Sequence, residues 1–180
     1  LLTIAQLFAL PQHECEPTAD KTSVLQDWRT VVSNRSFLLF AVAMIGSYVL
    51  TFQVYLALPL HAAVIAPQHS SALIAAMFAV SGAVAVTAQL RITRWFSQRW
   101  GTSRCLVIGM TVVALSFVPL ILLPDNRFGA VAAIGALLLS TALLAIGSAA
   151  VFPFEMDTVV ALSGGRLVGT HYGFYSTIVG

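Results

Sequence analysis

The side chains best suited to chemistry lie in one short apolar run, SYVLTFQVY from Ser47 to Tyr55. On an ideal helix Ser47, Tyr48, Thr51, Phe52 and Tyr55 fall within an arc of about 140°, with Pro59 inside the same arc. Hydroxyls and aromatic rings on one face suit a water-filled cavity holding an amphipathic organic solute. The same residues would also serve interhelical hydrogen bonding and aromatic packing, which are common in membrane bundles, and both readings stay open. A second group is ionic. Glu155 and Asp157, in FPFEMDTVVALSGGR, are with Asp125 the acids close to an apolar segment. Placed just past the expected helix end, they are either solvated or clamped to Arg91 or Arg94 across the same face, with Arg166 in the same connector.

Other chemistries find little support. The sequence holds no HExxH, no nucleophile triad and no GxxxxGK[ST] loop, so neither a zinc peptidase nor ATP-driven transport is indicated. His13-Glu14-Cys15 lacks a second ligand pair at zinc spacing and reads as loop. Cys15 and Cys105 are too far apart in sequence and setting to suggest a disulfide. No metal and no cofactor are expected. Proton coupling usually needs a carboxylate or histidine at membrane depth, and no expected span contains one; His61, His69 and His171 lie at the margins. A proton relay is therefore expected elsewhere or at those margins.

The elements that must position these residues follow from composition. The chain is 58% hydrophobic and 9% charged, with mean hydropathy +0.90, whereas soluble domains carry about a quarter charged residues. Lipid must be the main solvent. The net charge of +2 sits in short connectors and not on a continuous groove, which excludes a nucleic-acid surface. Between two long apolar runs stands RITRWFSQRWGTSR, with Arg91, Arg94, Arg99, Arg104 and no acid. A segment that basic reads as a cytoplasmic turn, with Trp95 and Trp100 at headgroup depth.

At about 20 residues per crossing, the apolar runs divide into spans at about 37–60, 71–90, 106–123 and 128–152. A fifth, 168–180, is cut short. Residues 1–10 read as the end of a preceding helix and 11–36 as a polar connector. Within that connector Val24, Leu25, Trp28, Val31 and Val32 recur at helical spacing, as an amphipathic helix on the membrane surface or a plain linker helix. Ser33-Asn34-Arg35-Ser36 then supplies cap candidates. With the arginine turn inside, alternation puts eight basic residues inside and only Arg127 outside. Both ends look cut, so a fragment of a longer protein is expected. The second and fourth spans are rich in small residues (Ala72, Ala75, Ala76, Ala79, Gly82 and Ala83; Gly135, Ala136, Ser140, Thr141, Ala145, Gly147, Ser148 and Ala149) and should pack closely. The bulkier third span is expected at the periphery.

Three stretches carry a family resemblance: DWRTVVSNRSFLLF, AQLRITRWFSQRWGTSR and FPFEMDTVVALSGGRLVGTHYGFYSTIVG. Over nearly its whole length the chain resembles the C-terminal half of a major facilitator superfamily transporter, and more closely the bacterial drug:proton antiporter branch. The arginine segment is similar to the second copy of the family's GxxxDRxGRR motif; Gly101 and Arg104 match, but no aspartate precedes Arg94. Pro153, Asp157, Arg166 and Gly173 fit the stretch linking helices ten and eleven. The resemblance implies an all-α polytopic bundle in the bacterial inner membrane, with residues 37–180 forming helices seven to eleven. It implies that seven, eight, ten and eleven line a cavity while nine is peripheral. It further implies a missing N-terminal half, and alternating access moving a small organic solute against protons. A non-transporting sensor or scaffold of the same fold is the rival; a membrane-embedded enzyme would need a His, Asp or Glu cluster that the sequence lacks.

Overall fold

The computed structural model describes residues 24–165 and 167–179 of the 180-residue chain. The expectations for residues 1–23 (the end of a preceding helix, most of the connector) and for Arg166 lie outside the described residues. Among the described residues the secondary structure is wholly helical: α1 (Val24–Ser33), α2 (Arg35–Phe52), α3 (Ala57–Ile65), a 3₁₀ turn (Pro67–His69), α4 (Ser70–Leu115), α5 (Val118–Leu122), α6 (Asp125–Ser163) and α7 (Val168–Val179). Four stretches are long and apolar enough to cross a membrane: Arg35–Ile65, Pro67–Thr87, Gly101–Leu122 and Arg127–Ser163.

The surface is inverted relative to a soluble protein. Leu39, Val86, Ile121 and Val131 are at least 72% exposed, while Ser47, Ser116, Ser140, Thr141, Glu155 and His171 are buried. Water would penalise that exterior, whereas hydrocarbon matches it and leaves polar groups to find partners inside the protein.

Local sequence explains where the helices begin and bend. Asn34 takes an extended conformation and its side-chain oxygen accepts from the Phe37 N–H at 3.1 Å, capping α2. Its amide nitrogen donates to the Leu162 carbonyl at 2.9 Å. One side chain thus satisfies the start of α2 and a free carbonyl in the last turn of α6. Pro59 disturbs the span further along, because it lacks an N–H and its ring clashes with the carbonyl four residues earlier. The chain responds by tightening: the N–H groups of Gln53, Val54, Tyr55 and Leu56 all bond to the carbonyl three residues back. The bend lies in the middle of the polar stripe.

Two helices run further than expected. The basic segment at 91–104 is not an open turn but helical, as it has no breaker until Gly101, whose φ of 71° kinks α4. The side chains of Trp95 and Trp100 lie outside the described ones. The fourth span was expected to stop at Phe152, before Pro153. Instead α6 continues to Ser163 and ends only at Gly164, in the left-handed region at φ 61°. Proline inside a membrane helix removes one backbone bond, which neighbouring helices and local adjustment can absorb.

A close backbone approach joins the third span, expected at the periphery, to the fourth. A Cβ on Gly147 would sit 2.8 Å from the Val113 nitrogen, and one on Gly109 would sit 2.8 Å from Val151 Cγ2. The second span is the least buried of the four, and its Ala72, Ala75, Ala79, Gly82 and Ala83 are exposed. Two glycines facing each other decide the contact; a small-residue stripe without a partner surface does not.

α1 turns part of its apolar face to protein, while Val32 is exposed. Val31 is fully buried, and Trp28 meets the Phe174 ring edge-on with centroids 5.4 Å apart. The buried side chains form two clusters. One, at the Asn34 end, includes Val31, Phe37, Met44, Phe154 and Tyr175; the other includes Leu58, Met77, Val113, Leu137 and Leu144. Along α6, Ser148 falls between them, while Ser140 and Thr141 lie within the second cluster and Glu155 within the first.

Gly147→Ala should destabilise the protein by about 1–3 kcal/mol, because backbone as well as side chain must yield. Gly135→Ala, on the same helix with nothing within 4 Å, should be neutral or slightly favourable. Thermal unfolding in detergent would compare them, and equal effects would contradict the close α4–α6 contact. Asn34→Ala should cost about 1–2 kcal/mol by the same measurement, with Asn34→Asp recovering only the cap.

Candidate functional site

Glu155 is the group around which the polar residues gather. It lies in the Arg127–Ser163 span and is 1% exposed. Because α6 runs on past Pro153, this carboxylate is carried into the bundle and not out to solvent. Its Oε1 accepts two hydrogen bonds, from the Tyr175 hydroxyl of α7 at 2.5 Å and from the Tyr48 hydroxyl of α2 at 3.0 Å. Oε2 is buried and has no hydrogen-bond partner. Three helices therefore meet on one carboxylate oxygen, while the other is open to a proton or donor. The Tyr175 ring is fixed by near-parallel stacking on Phe40, centroids 5.8 Å apart and planes 17° apart.

On its other side Tyr48 belongs to an aromatic ladder. Its ring meets Phe152 edge-on at 5.7 Å and lies 6.2 Å from Phe52. Phe52 continues to Tyr55 at 6.1 Å, and Tyr55 to Phe78 of α4 at 6.0 Å. Beside the ladder opens a cleft of about 270 Å³, lined by Thr51, Tyr55, Ser81, Thr141, Ser148 and Phe152 among others. Thr51 and Ser148 place their hydroxyls 3.4 Å apart across it. The Pro59 bend turns Tyr55 onto the cleft, and the small side chains of α6 leave the room. Apolar and aromatic walls with a few hydroxyls can hold an amphipathic molecule.

The five-residue stripe is thereby split. Thr51 and Tyr55 line the cleft, and Phe52 stands exposed in the ladder. Tyr48 bridges ladder and carboxylate. Ser47 is buried on the face shared with Phe37, Ala41 and Met44, and does not line the cleft. The reason is angular: Ser47 sits at the edge of the arc, where α2 turns towards the core.

Glu155 is engaged by two tyrosines, and among the described residues no ion pair joins Arg91 or Arg94 to Glu155 or Asp157, the partners expected for a charge clamp. Arg91, Arg94 and Asp157 are exposed; Arg166 is outside the described residues. The tie at this end is the uncharged Asn34–Leu162 bond. The expectation that no span holds a carboxylate is likewise corrected by Glu155. Tyr175, Ser81, Ser148 and Phe152 were missed as site residues. Tyr175 alone had a signal, a hydroxyl inside the apolar run of α7, four residues after His171. His171 is itself buried, its Nδ1 3.0 Å from the Leu167 carbonyl and its ring edge-on to Phe37 at 4.9 Å. Because a carbonyl only accepts, Nδ1 carries the hydrogen there. Among the described residues no group of three His, Cys, Asp or Glu side chains could hold a metal.

Comparison with known proteins places these features in a family. A protein of Mycobacterium tuberculosis named an uncharacterized MFS-type transporter is 62% identical over 181 residues, covering all of this chain and 43% of that protein. The multidrug resistance protein MdtH of Sodalis glossinidius is 29% identical over 154 residues, covering 86% of this chain and 36% of MdtH. MdtH of Salmonella paratyphi B is 28% identical over the same length. The chain thus spans less than half the length of these relatives. No solved structure matches it. Residues 4–180 match the Major Facilitator Superfamily model, and with an all-helical, lipid-facing bundle of this kind the chain belongs to that superfamily of membrane proteins.

Proposed function

We propose that this chain forms the C-terminal half of a secondary transporter that moves a small amphipathic organic solute in exchange for protons by alternating access. The observation that carries the proposal is Glu155: an ionisable group held inside a membrane span, bonded to two other helices, next to an aromatic cleft. An intramembrane carboxylate is costly and is functional by default. Here Oε2 has no hydrogen-bond partner, which leaves it as the oxygen to carry a proton while Oε1 faces the tyrosines.

The cleft supplies the solute site, with Thr51 and Tyr55 on one wall and Tyr48 and Phe52 in the aromatic ladder beside it. Relatives that carry the name multidrug resistance protein favour export of a foreign organic compound. A matching half supplied by the rest of the protein would complete the cavity and cover the small residues exposed on the second span. The two halves would then rock about the site between them. The excess of basic residues at the Asn34 end supports a cytoplasmic position for that end, in a bacterial inner membrane.

Two measurements test this. In proteoliposomes with an imposed pH gradient, the protein should accumulate at least one member of a panel of aromatic solutes. Glu155→Gln should reduce gradient-driven accumulation to the leak rate while leaving solute exchange in place. Accumulation driven equally well by Glu155→Gln would remove the proton role, and no movement of any solute would favour a sensor or scaffold. For orientation, a cysteine replacing Arg99, in a background without Cys15 and Cys105, should resist an impermeant thiol reagent added outside intact cells. Labelling from outside would reverse the topology.

A further inference from the structure

We infer that Tyr48 couples occupancy of the aromatic cleft to protonation of Glu155, an inference that rests on the transport reading above. Tyr48 is a positioning residue. Its hydroxyl donates to Glu155 Oε1 at 3.0 Å, while its ring lies beside Phe52 and meets edge-on Phe152, which lines the cleft. Tyr175, the other donor to Oε1, is fixed by Phe40. Both tyrosines pack on the same core cluster, but they are unequal: Tyr175 is buried, whereas Tyr48 is half-buried and leans on a ring that a solute in the cleft would touch.

The sign of the coupling follows from hydrogen-bond strength. A carboxylate is a stronger acceptor than the neutral acid, with charge-assisted bonds roughly twice as strong as neutral ones. Any contact that holds the Tyr48 hydroxyl on Oε1 therefore favours the charged form and releases the proton. A solute seated in the cleft would do this, by pressing Phe152 against the Tyr48 ring. Conversely, protonation weakens the bond, frees Tyr48 and loosens the cleft wall. By linkage, each ligand then lowers the affinity of the other by the same factor, on the order of tenfold for a coupling of typical size. Competition of this kind is what exchange of solute against proton requires.

The other titratable groups near Glu155 leave Tyr48 as the connecting one. On α7, Tyr172 donates to the Met156 carbonyl and His171 bonds the Leu167 carbonyl. On α4, Cys105 is buried in the same cluster as Tyr175. On α6 itself, Asp157 is exposed. His61 of α3 lies beyond the Pro59 bend, towards the other cluster, and α5 has no titratable side chain.

A tethered occupant tests the coupling without knowledge of the natural solute. Thr51→Cys, in a background lacking Cys15 and Cys105, is reacted with N-phenylmaleimide in lipid, with the extent of reaction read by mass. The protonated carboxyl band of Glu155 is identified in the infrared spectrum by its loss in Glu155→Gln. Labelling should diminish that band at fixed pH in the protein with Tyr48, corresponding to about a tenfold fall in proton affinity. In Tyr48→Phe, which keeps the ring and removes the hydroxyl, labelling should leave the band unchanged. A band that does not respond in the Tyr48 protein, or that responds as much in Tyr48→Phe, overturns the coupling role. If Glu155→Gln removes no carboxyl band at any pH, the proton-carrying role of Glu155 falls first, and the coupling with it.

Discussion

Inside hydrocarbon no water stands ready to satisfy a polar group, so each one must find its partner in the protein. That constraint organises this structure more than any attraction between apolar side chains, which lipid would solvate equally well. Serine and threonine hydroxyls turn back to carbonyls of their own helix, as at Thr141 to Leu137 and Ser148 to Leu144. Asn34 answers needs at two helix ends at once. Glu155, the most demanding of these groups, recruits a tyrosine from each of two other helices. The bonds that remove the cost of burying it also join α2, α6 and α7.

That dual role links stability to function. A bundle tied only by packed glycines, as between Gly109 and Gly147, would have one arrangement and little reason to change it. The tyrosine bonds to Glu155 differ, because their strength depends on the charge of the acceptor. The rigid contact between the third and fourth spans and the variable contact at Glu155 thus divide the bundle into a fixed part and a responsive part. The cleft opens against the responsive part, where the chain between α2 and α3 is tightened by Pro59 into turns with three-residue spacing.

The Asn34 end of the bundle illustrates how a polar tie can stand where an ionic one was expected. Two acids and four arginines near that end invite a salt-bridge reading. An exposed ion pair gains little over its hydration, whereas the Asn34 bond to Leu162 satisfies groups that would otherwise stay unpaired at partly buried helix ends. With α1 laid against α7 through Trp28 and Val31, the connector becomes part of the bundle's end rather than a tether beside it.

The residues themselves determined the solvent, the helical class and the rough places of the spans, because hydropathy and length act locally and additively along the chain. They also offered Asn34 among the cap candidates of Ser33–Ser36 and the stripe from Ser47 to Tyr55, since helical geometry alone puts those stripe side chains on one face. What they left undecided was which faces meet. Whether α6 stops at Pro153 or carries Glu155 inside depends on neighbours able to tolerate one missing backbone bond. Whether the small residues of the second or the glycine of the third span dock on α6 depends on the opposing surface. The pairing of Tyr48 and Tyr175 on one oxygen joins positions 107 and 20 residues from Glu155, a proximity that no local pattern encodes and that only the packed bundle creates.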